Sequence, residues 1–340
     1  MTRRFAVVLA IVLAMPLSSG MPMVTPAEHV RGTEQTYLTF PEWFLVHSPA
    51  EYANYVRGHT PTEFPFWGHI RQFWSSYAAV TRASNDGYPF NVGYHVMILV
   101  IGASTTVEYA LRSAYETFLG RLSEATSMGH LTDEDRYGAE VAQDYVDFIR
   151  KLPWYEFDFI GKLTGLWRDT PLWGPGILRK WERKYALSTE YLVKAGYGWI
   201  IKKATKASYE EALLVTAVVL DRLPLEVALA LPELKVQRML ADGAVLALVP
   251  RYHAFMTYAA TLAQRGVNFR EIAGNRGPIL LSVIAPAGWK LAGARELFRQ
   301  PILTEAPLER VAVVVDVDAL SRSLLLVREA GARLEHVYDY

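Results

Sequence analysis

The sequence predicts an α+β protein. An aromatic-rich, mainly helical domain covers residues 37–232, and a smaller ferredoxin-like (split βαβ) α/β sandwich covers residues 233–340. Three observations predict it. Eight of the nine tryptophans, Trp43 to Trp199, fall before Pro232, among segments whose apolar residues recur every three or four positions. Past Leu234 the pattern changes to short runs rich in valine, leucine and isoleucine, bounded by turn residues. Those later runs read as strand–helix–strand–strand, an insertion, then strand–helix–strand, which is close to a split βαβ unit.

Ahead of the helical domain, residues 1–20 read as a signal peptide or N-terminal membrane anchor. Arg3 and Arg4 precede an apolar run from Phe5 to Leu17, and small residues Ser18 and Gly20 follow. That is the charge–apolar–small order of a secretory segment, and the run is shorter than the ~20 residues of a membrane span. Residues 21–36, with Pro22, Pro26 and Gly32, read as a linker. The expectation is an exported protein, periplasmic or anchored to the inner membrane facing the periplasm.

Within the helical domain, "LTDEDRYGAEVAQDYVDFIRKL" places Thr132 as N-cap, with acids in the first turn and a stripe of Tyr137, Val141, Tyr145, Phe148 and Leu152. The segment from Ile177 to Leu223 reads as helical throughout, with Glu190 and Lys194 one turn apart. In the C-terminal domain, Asp242-Gly243 is a turn between two strands, and Gly266 closes the helix of "RYHAFMTYAATLAQRG". "NFREIAG" and "PILLSVIAP" read as strands, then "RVAVVVDV", "DALSRSLLLVREAG" and "ARLEHVYDY" as strand, helix and strand.

The stretch "NVGYHVMILVIGASTTVEYALRSAYE" admits three readings. As a membrane span, Val92 to Val107 is roughly 24 Å long, short of a ~30 Å hydrocarbon core, and it holds polar residues. As a nucleophile elbow, Gly102-Ala103-Ser104-Thr105-Thr106 lacks the second glycine of G-x-S-x-G. The expectation is therefore one long core helix, Tyr94 to Glu124, central to a soluble domain. Met97, Ile101, Ser104, Glu108 and Tyr115 share one stripe, and His95, Gly102, Tyr109 and Glu116 another. Gly102 and Ala103 would let a second helix or a flat ligand approach, so Gly102, Ser104, Tyr109 and Tyr115 are candidate ligand-binding residues.

Candidate chemistry rests on a few ionisable groups. Glu108 and His95 are candidates for burial in the helical domain, where a carboxylate is paired or has a raised pKa. They sit ~140° apart around one helix, so each needs partners from elsewhere. "PWYEFDF", if extended, places Glu156 and Asp158 on one face and three aromatics on the other, a pattern compatible with sugar chemistry. His47, His59 and His69, with Glu51 and Glu63 nearby, supply imidazoles and carboxylates but no metal-binding spacing.

Composition narrows the function. The formal net charge is +0, so nothing points to nucleic acid. With Cys 0 there are no disulfides, thiolate metal sites or cysteine nucleophiles. No motif fixes a cofactor or a metal. The leading expectation is a cell-envelope protein that binds a protein partner or an apolar small molecule. The alternative is a hydrolase or metal-dependent enzyme with its site around His95, Glu108, Glu156 and Asp158.

Overall fold

The computed structural model describes residues 23–32, 35–205 and 214–338. The charged and apolar segment expected over residues 1–20 lies outside them. Among the described residues, seven α-helices precede the first strand: α1 (Gln35–Val56), α2 (Phe66–Asn85), α3 (Val92–Tyr115), α4 (Arg121–Thr126), α5 (Asp133–Ile149), α6 (Phe159–Asp169) and α7 (Ile177–Thr205). The rest alternates strands and helices: β1 (Val215–Leu220), α8 (Leu225–Ala230), β2 (Lys235–Met239), β3 (Val245–Pro250), α9 (His253–Gln264), β4 (Phe269–Ile272), β5 (Pro278–Pro286), β6 (Arg295–Pro301), β7 (Leu308–Asp316), α10 (Leu320–Glu329) and β8 (Arg333–Val337). The chain is α+β, with a helical N-terminal part and antiparallel sheets in the C-terminal part.

The central helix is α1. It carries Pro41 and Pro49 in its interior, and its buried residues include Tyr37, Phe40, Trp43, Phe44 and Glu51. Interior prolines remove backbone hydrogen bonds, so such a helix depends on packing. It touches α2, α3, α5 and β5. The other helices follow local rules more simply. Thr132 caps α5 as expected: its hydroxyl accepts from the Asp135 N–H, and its own N–H donates to Asp135 Oδ2.

The split βαβ unit occurs twice. One four-stranded sheet has the order β2-β3-β1-β4 and the other β6-β7-β5-β8, all antiparallel. The first unit has its crossover helix α8, whereas residues 287–294 cross without one. Period-two burial divides the second sheet. Leu281, Val283, Val311, Val313 and Val337 join a core shared with α9, α10 and the first sheet. Leu280, Ala312, Val314 and Tyr338 face the opposite way, onto Tyr37, Phe40 and Trp43 of α1. A strand that is buried on both faces explains the unbroken apolar runs of β5 and β7.

Three local expectations are corrected. The "LLVTAVVL" stretch, read as helix, contains strand β1, because its β-branched residues bury Val218 and Leu220 on one face and Ala217 and Val219 on the other. The stretch read as an insertion supplies β6. "PWYEFDF" is not extended: Trp154–Glu156 form a 3-10 turn, and Asp158 caps α6 by accepting from the Gly161 N–H at 2.8 Å.

The stretch from Val92 to Thr126 is one continuous helix, α3 running through a π turn (Glu116–Gly120) into α4. Its role as a buried central helix is not what the structure shows. Only 28% of its apolar window is buried. His95, Gly102, Thr105, Tyr109 and Glu116 face inward, while Val96, Val100, Val107, Leu111 and Phe118 are exposed. The same inversion marks α7. Arg179, Lys180, Arg183 and Lys184 are buried, and Leu178, Trp181, Leu192, Trp199 and Ile200 are exposed. Ion pairs join the inner faces in antiparallel order, Glu108 to Lys194 at 3.2 Å, Arg112 to Glu190 at 3.5 Å and Glu116 to Arg183 at 2.9 Å.

Candidate functional site

A cavity of ≈ 90 Å³ opens between α1, α3, α5 and α7. A water molecule needs roughly 10–15 Å³ on this kind of measure, so the space admits several waters or part of a small ligand. One wall is charged. Lys194 bridges Glu108 at 3.2 Å and Glu190 at 2.8 Å, and Arg112 approaches Glu190 at 3.5 Å and Glu108 at 3.8 Å. Two cations and two anions close a ring of zero net charge. The Arg112 guanidinium also lies 4.4 Å over the Tyr52 ring. The other walls are apolar and aromatic, with Phe44, Leu45, Val141, Ala142, Phe159 and Leu187.

Ser48 and Tyr109 also line the cavity and begin a buried polar chain. Ser48 Oγ lies 2.7 Å from Tyr109 Oη and 2.9 Å from His69 Nδ1. His69 Nε2 faces Glu51 Oε2 at 3.6 Å. The other Glu51 oxygen accepts from Arg310 at 2.8 Å, and Arg310 grips both oxygens of Glu335 at 2.6 and 2.8 Å. Glu335 lies 3.5 Å from His47 Nδ1, whose Nε2 is 3.2 Å from Tyr338 Oη. The chain thus links the cavity to the face of the second sheet that packs on α1.

Electrostatics differ along the chain. Burial pushes the Glu51 carboxyl up, with Arg310 opposing. Glu335 is also buried, but the bidentate Arg310 outweighs that and holds it at about 2. Burial, then the Arg310 charge, lowers His69 to about 3, and burial lowers His47 to about 4. Both imidazoles are therefore neutral at ordinary pH. Glu51 Oε2 and His69 Nε2 each lack a hydrogen-bond partner. A neutral His69 with its proton on Nε2 points that donor at Glu51 Oε2 and leaves Nδ1 to accept from the Ser48 hydroxyl. The Ser48–His69–Glu51 order matches a nucleophile, base and acid, but an imidazole near 3 is a weak base for neutral pH.

The sequence-derived candidates scatter. Glu108 and Tyr109 reach the cavity. Glu108 pairs with Arg112 and with Lys194. His95 faces inward near the start of α3, away from the cavity along the helix, with Tyr77 Oη 2.8 Å from its Nδ1 and its ring stacked on Phe90 at 4.1 Å. Gly102 meets α2: a Cβ there would run into the Phe73 ring and lie 2.9 Å from Trp74. So the close approach is by a helix. Ser104 is exposed, and Tyr115 stacks on Tyr185 of α7 at 6.4 Å. Glu156 pairs with Lys202 at 2.7 Å, and Asp158 is the α6 cap. Thus His95, Glu108, Glu156 and Asp158 do not form one site. His59 stacks on Tyr55, apart from His47 and His69. Among the described residues no group of three or more histidines and carboxylates is arranged to hold a metal ion.

Sequence reasoning noticed His47, Glu51 and His69 only as loose metal candidates. It missed Ser48, Arg310 and Glu335. The nearest signal was Arg310 in an apolar strand, since a lone arginine in "ERVAVVVDV" needs a buried partner. No family model matches this sequence, and the comparisons with curated proteins and solved structures also found no match.

Proposed function

We propose that this is a cell-envelope protein whose helical part binds an amphipathic small molecule in the cavity between α1, α3, α5 and α7. The observation that carries the reading is the cavity's division into a closed charge ring and an apolar wall. A polar head would find donors and acceptors at Lys194, Glu108, Ser48 and Tyr109, and an apolar tail would lie along Phe44, Val141 and Leu187. Concave apolar sites with a few convergent polar groups are the common form of a ligand site. The N-terminal composition supports the envelope address.

Native mass spectrometry of the full chain, taken from its own envelope, tests the proposal. It should show a bound mass that Ala142→Phe, which fills the cavity, removes without unfolding the protein. Glu108→Gln should weaken retention too. Its carboxylate is about two-fifths exposed, so the stability cost should stay within ~1 kcal/mol. An unliganded wild-type chain under native extraction would refute the reading.

A second reading, an ester hydrolase acting through Ser48, is favoured by the 2.9 Å approach of Ser48 to His69. Covalent labelling of Ser48 by a fluorophosphonate probe, lost in Ser48→Ala, would establish it. No labelling would dismiss it.

A further inference from the structure

The outer faces of α3 and α7 combine three features that point to one kind of partner. On the α3–α4 helix, Val96, Val100, Val107, Leu111, Phe118 and Leu122 are exposed at spacings of four and seven, which keeps them on one side. Val96 to Leu122 covers about 39 Å of helix, comparable with the ~30 Å hydrocarbon core of a bilayer plus part of its interfaces. On α7, Leu192 and Val193 are exposed between Trp181 near one end and Trp199 near the other. The Lys203 ammonium lies 3.7 Å over the Trp199 ring. Aliphatic centres with tryptophan and lysine at the ends are the pattern of a membrane interface.

The inner faces reverse what water requires. A helix on the surface of a water-soluble protein turns its charges outward. Here the charged ladder Glu108–Lys194, Arg112–Glu190 and Glu116–Arg183 lies between the helices, and the aliphatic side chains point away. Acyl chains cannot hydrate charges, so ionisable groups in lipid-facing helices pair with one another inside the bundle. A protein partner or second copy would normally be met by a polar rim that fixes its register. Neither stripe offers a regular one along its length.

We propose that the outer faces of α3 and α7 form one lipid-contacting surface that seats the helical part in a phospholipid bilayer. The apolar run Phe5–Leu17, preceded by Arg3 and Arg4, supports a membrane address for the same chain. The inference rests on surface polarity and not on a ligand in the cavity, so either reading can fail without the other.

The absence of cysteine gives a clean test in the full chain. Single variants Val100→Cys, Val107→Cys and Leu192→Cys are labelled with an environment-sensitive fluorophore. Leu225→Cys on α8 and Val236→Cys on β2, both exposed apolar sites, serve as controls. Each is mixed with phosphatidylcholine–phosphatidylglycerol vesicles carrying nitroxide-labelled lipid. The α3 and α7 labels should shift to the blue, be quenched by the lipid nitroxide and lose most of their quenching by aqueous iodide. The control labels should keep it. Face labels that stay open to iodide in vesicle-bound protein overturn the proposal. So does shielding that appears without lipid and grows with protein concentration, since a second copy would then be the occupant.

Discussion

Arg310→Met is the sharpest probe of the seam between the two parts of the chain. Arg310 is 1% exposed, on the face of β7 that packs on α1, and it holds Glu335 through two hydrogen bonds and Glu51 through one. Methionine nearly matches its length but leaves both carboxylates without a cation. Breaking a buried ion pair from one side costs ~3–5 kcal/mol. Burial already raises Glu51, so that group can take up a proton at modest cost. Most of the loss therefore comes from Glu335, and ~4 kcal/mol is expected at pH 7. The pH dependence has a definite sign. In the native chain Glu335 is depressed from 4.5 to about 2, so its stabilisation is present above 4.5 and is lost as pH falls through about 2. In the variant the largest opposition to burial is gone, the Glu335 pKa rises, and the deficit shrinks as pH falls below the new value. Urea denaturation followed by circular dichroism between pH 4 and 8 should show a gap that narrows toward acid. Adding Glu335→Gln to Arg310→Met should recover part of it. A gap below ~1 kcal/mol at pH 7, or one independent of pH, would refute the reasoning.

Two further outcomes follow from the same packing. Gly102→Ala should destabilise the chain by ~1–3 kcal/mol, because the added methyl meets the Phe73 and Trp74 rings of α2; a neutral result in denaturant titration would mean that α2 and α3 are not this close. His69 is lowered from 6.5 to about 3, so the unfolded chain takes up its proton first and stability falls as pH drops from 6.5 toward 3. His69→Gln should flatten that fall by up to ~1.4 kcal/mol per pH unit, and an unchanged slope would place the acid sensitivity elsewhere.

The α+β class and the sequence of most elements could be read from local pattern. Thr132 as a cap, Asp242-Gly243 as a turn and Gly266 as a helix stop all rest on a few neighbouring residues, and the structure has each. Gly266 adopts φ 70, which glycine tolerates and other residues rarely do. Strand β1 was harder. Its residues also suit a buried helix, and only pairing with β3 and β4 separates the two. Within the site, Tyr109 and Glu108 were within reach because their helix was. Ser48, His69 and Arg310 were not, because 21 residues separate the first two and Glu51 and Arg310 are 259 apart.

Polarity along a helix has two solutions that local sequence does not distinguish. A stripe of Glu108, Arg112 and Glu116 beside one of Val100, Val107 and Leu111 satisfies the same periodicity whichever stripe faces inward. In water the apolar stripe must find the core. That was the premise behind expecting α3 to be a buried central helix. The deciding information lies on α7, where Lys194, Glu190 and Arg183 run in the opposite chain direction and meet those three charges in turn. Once they are paired, the charges depend less on water, and among the described residues the valines stay exposed. The same logic returns the central position to α1, whose prolines and lack of a clear apolar face disguise it in sequence, yet which is enclosed by α2, α3, α5 and β5. Burial along α3 and α7 follows the location of counterions more closely than it follows hydropathy. The aliphatic surface left over is then a requirement on the surroundings, and a lipid phase meets it without further contacts.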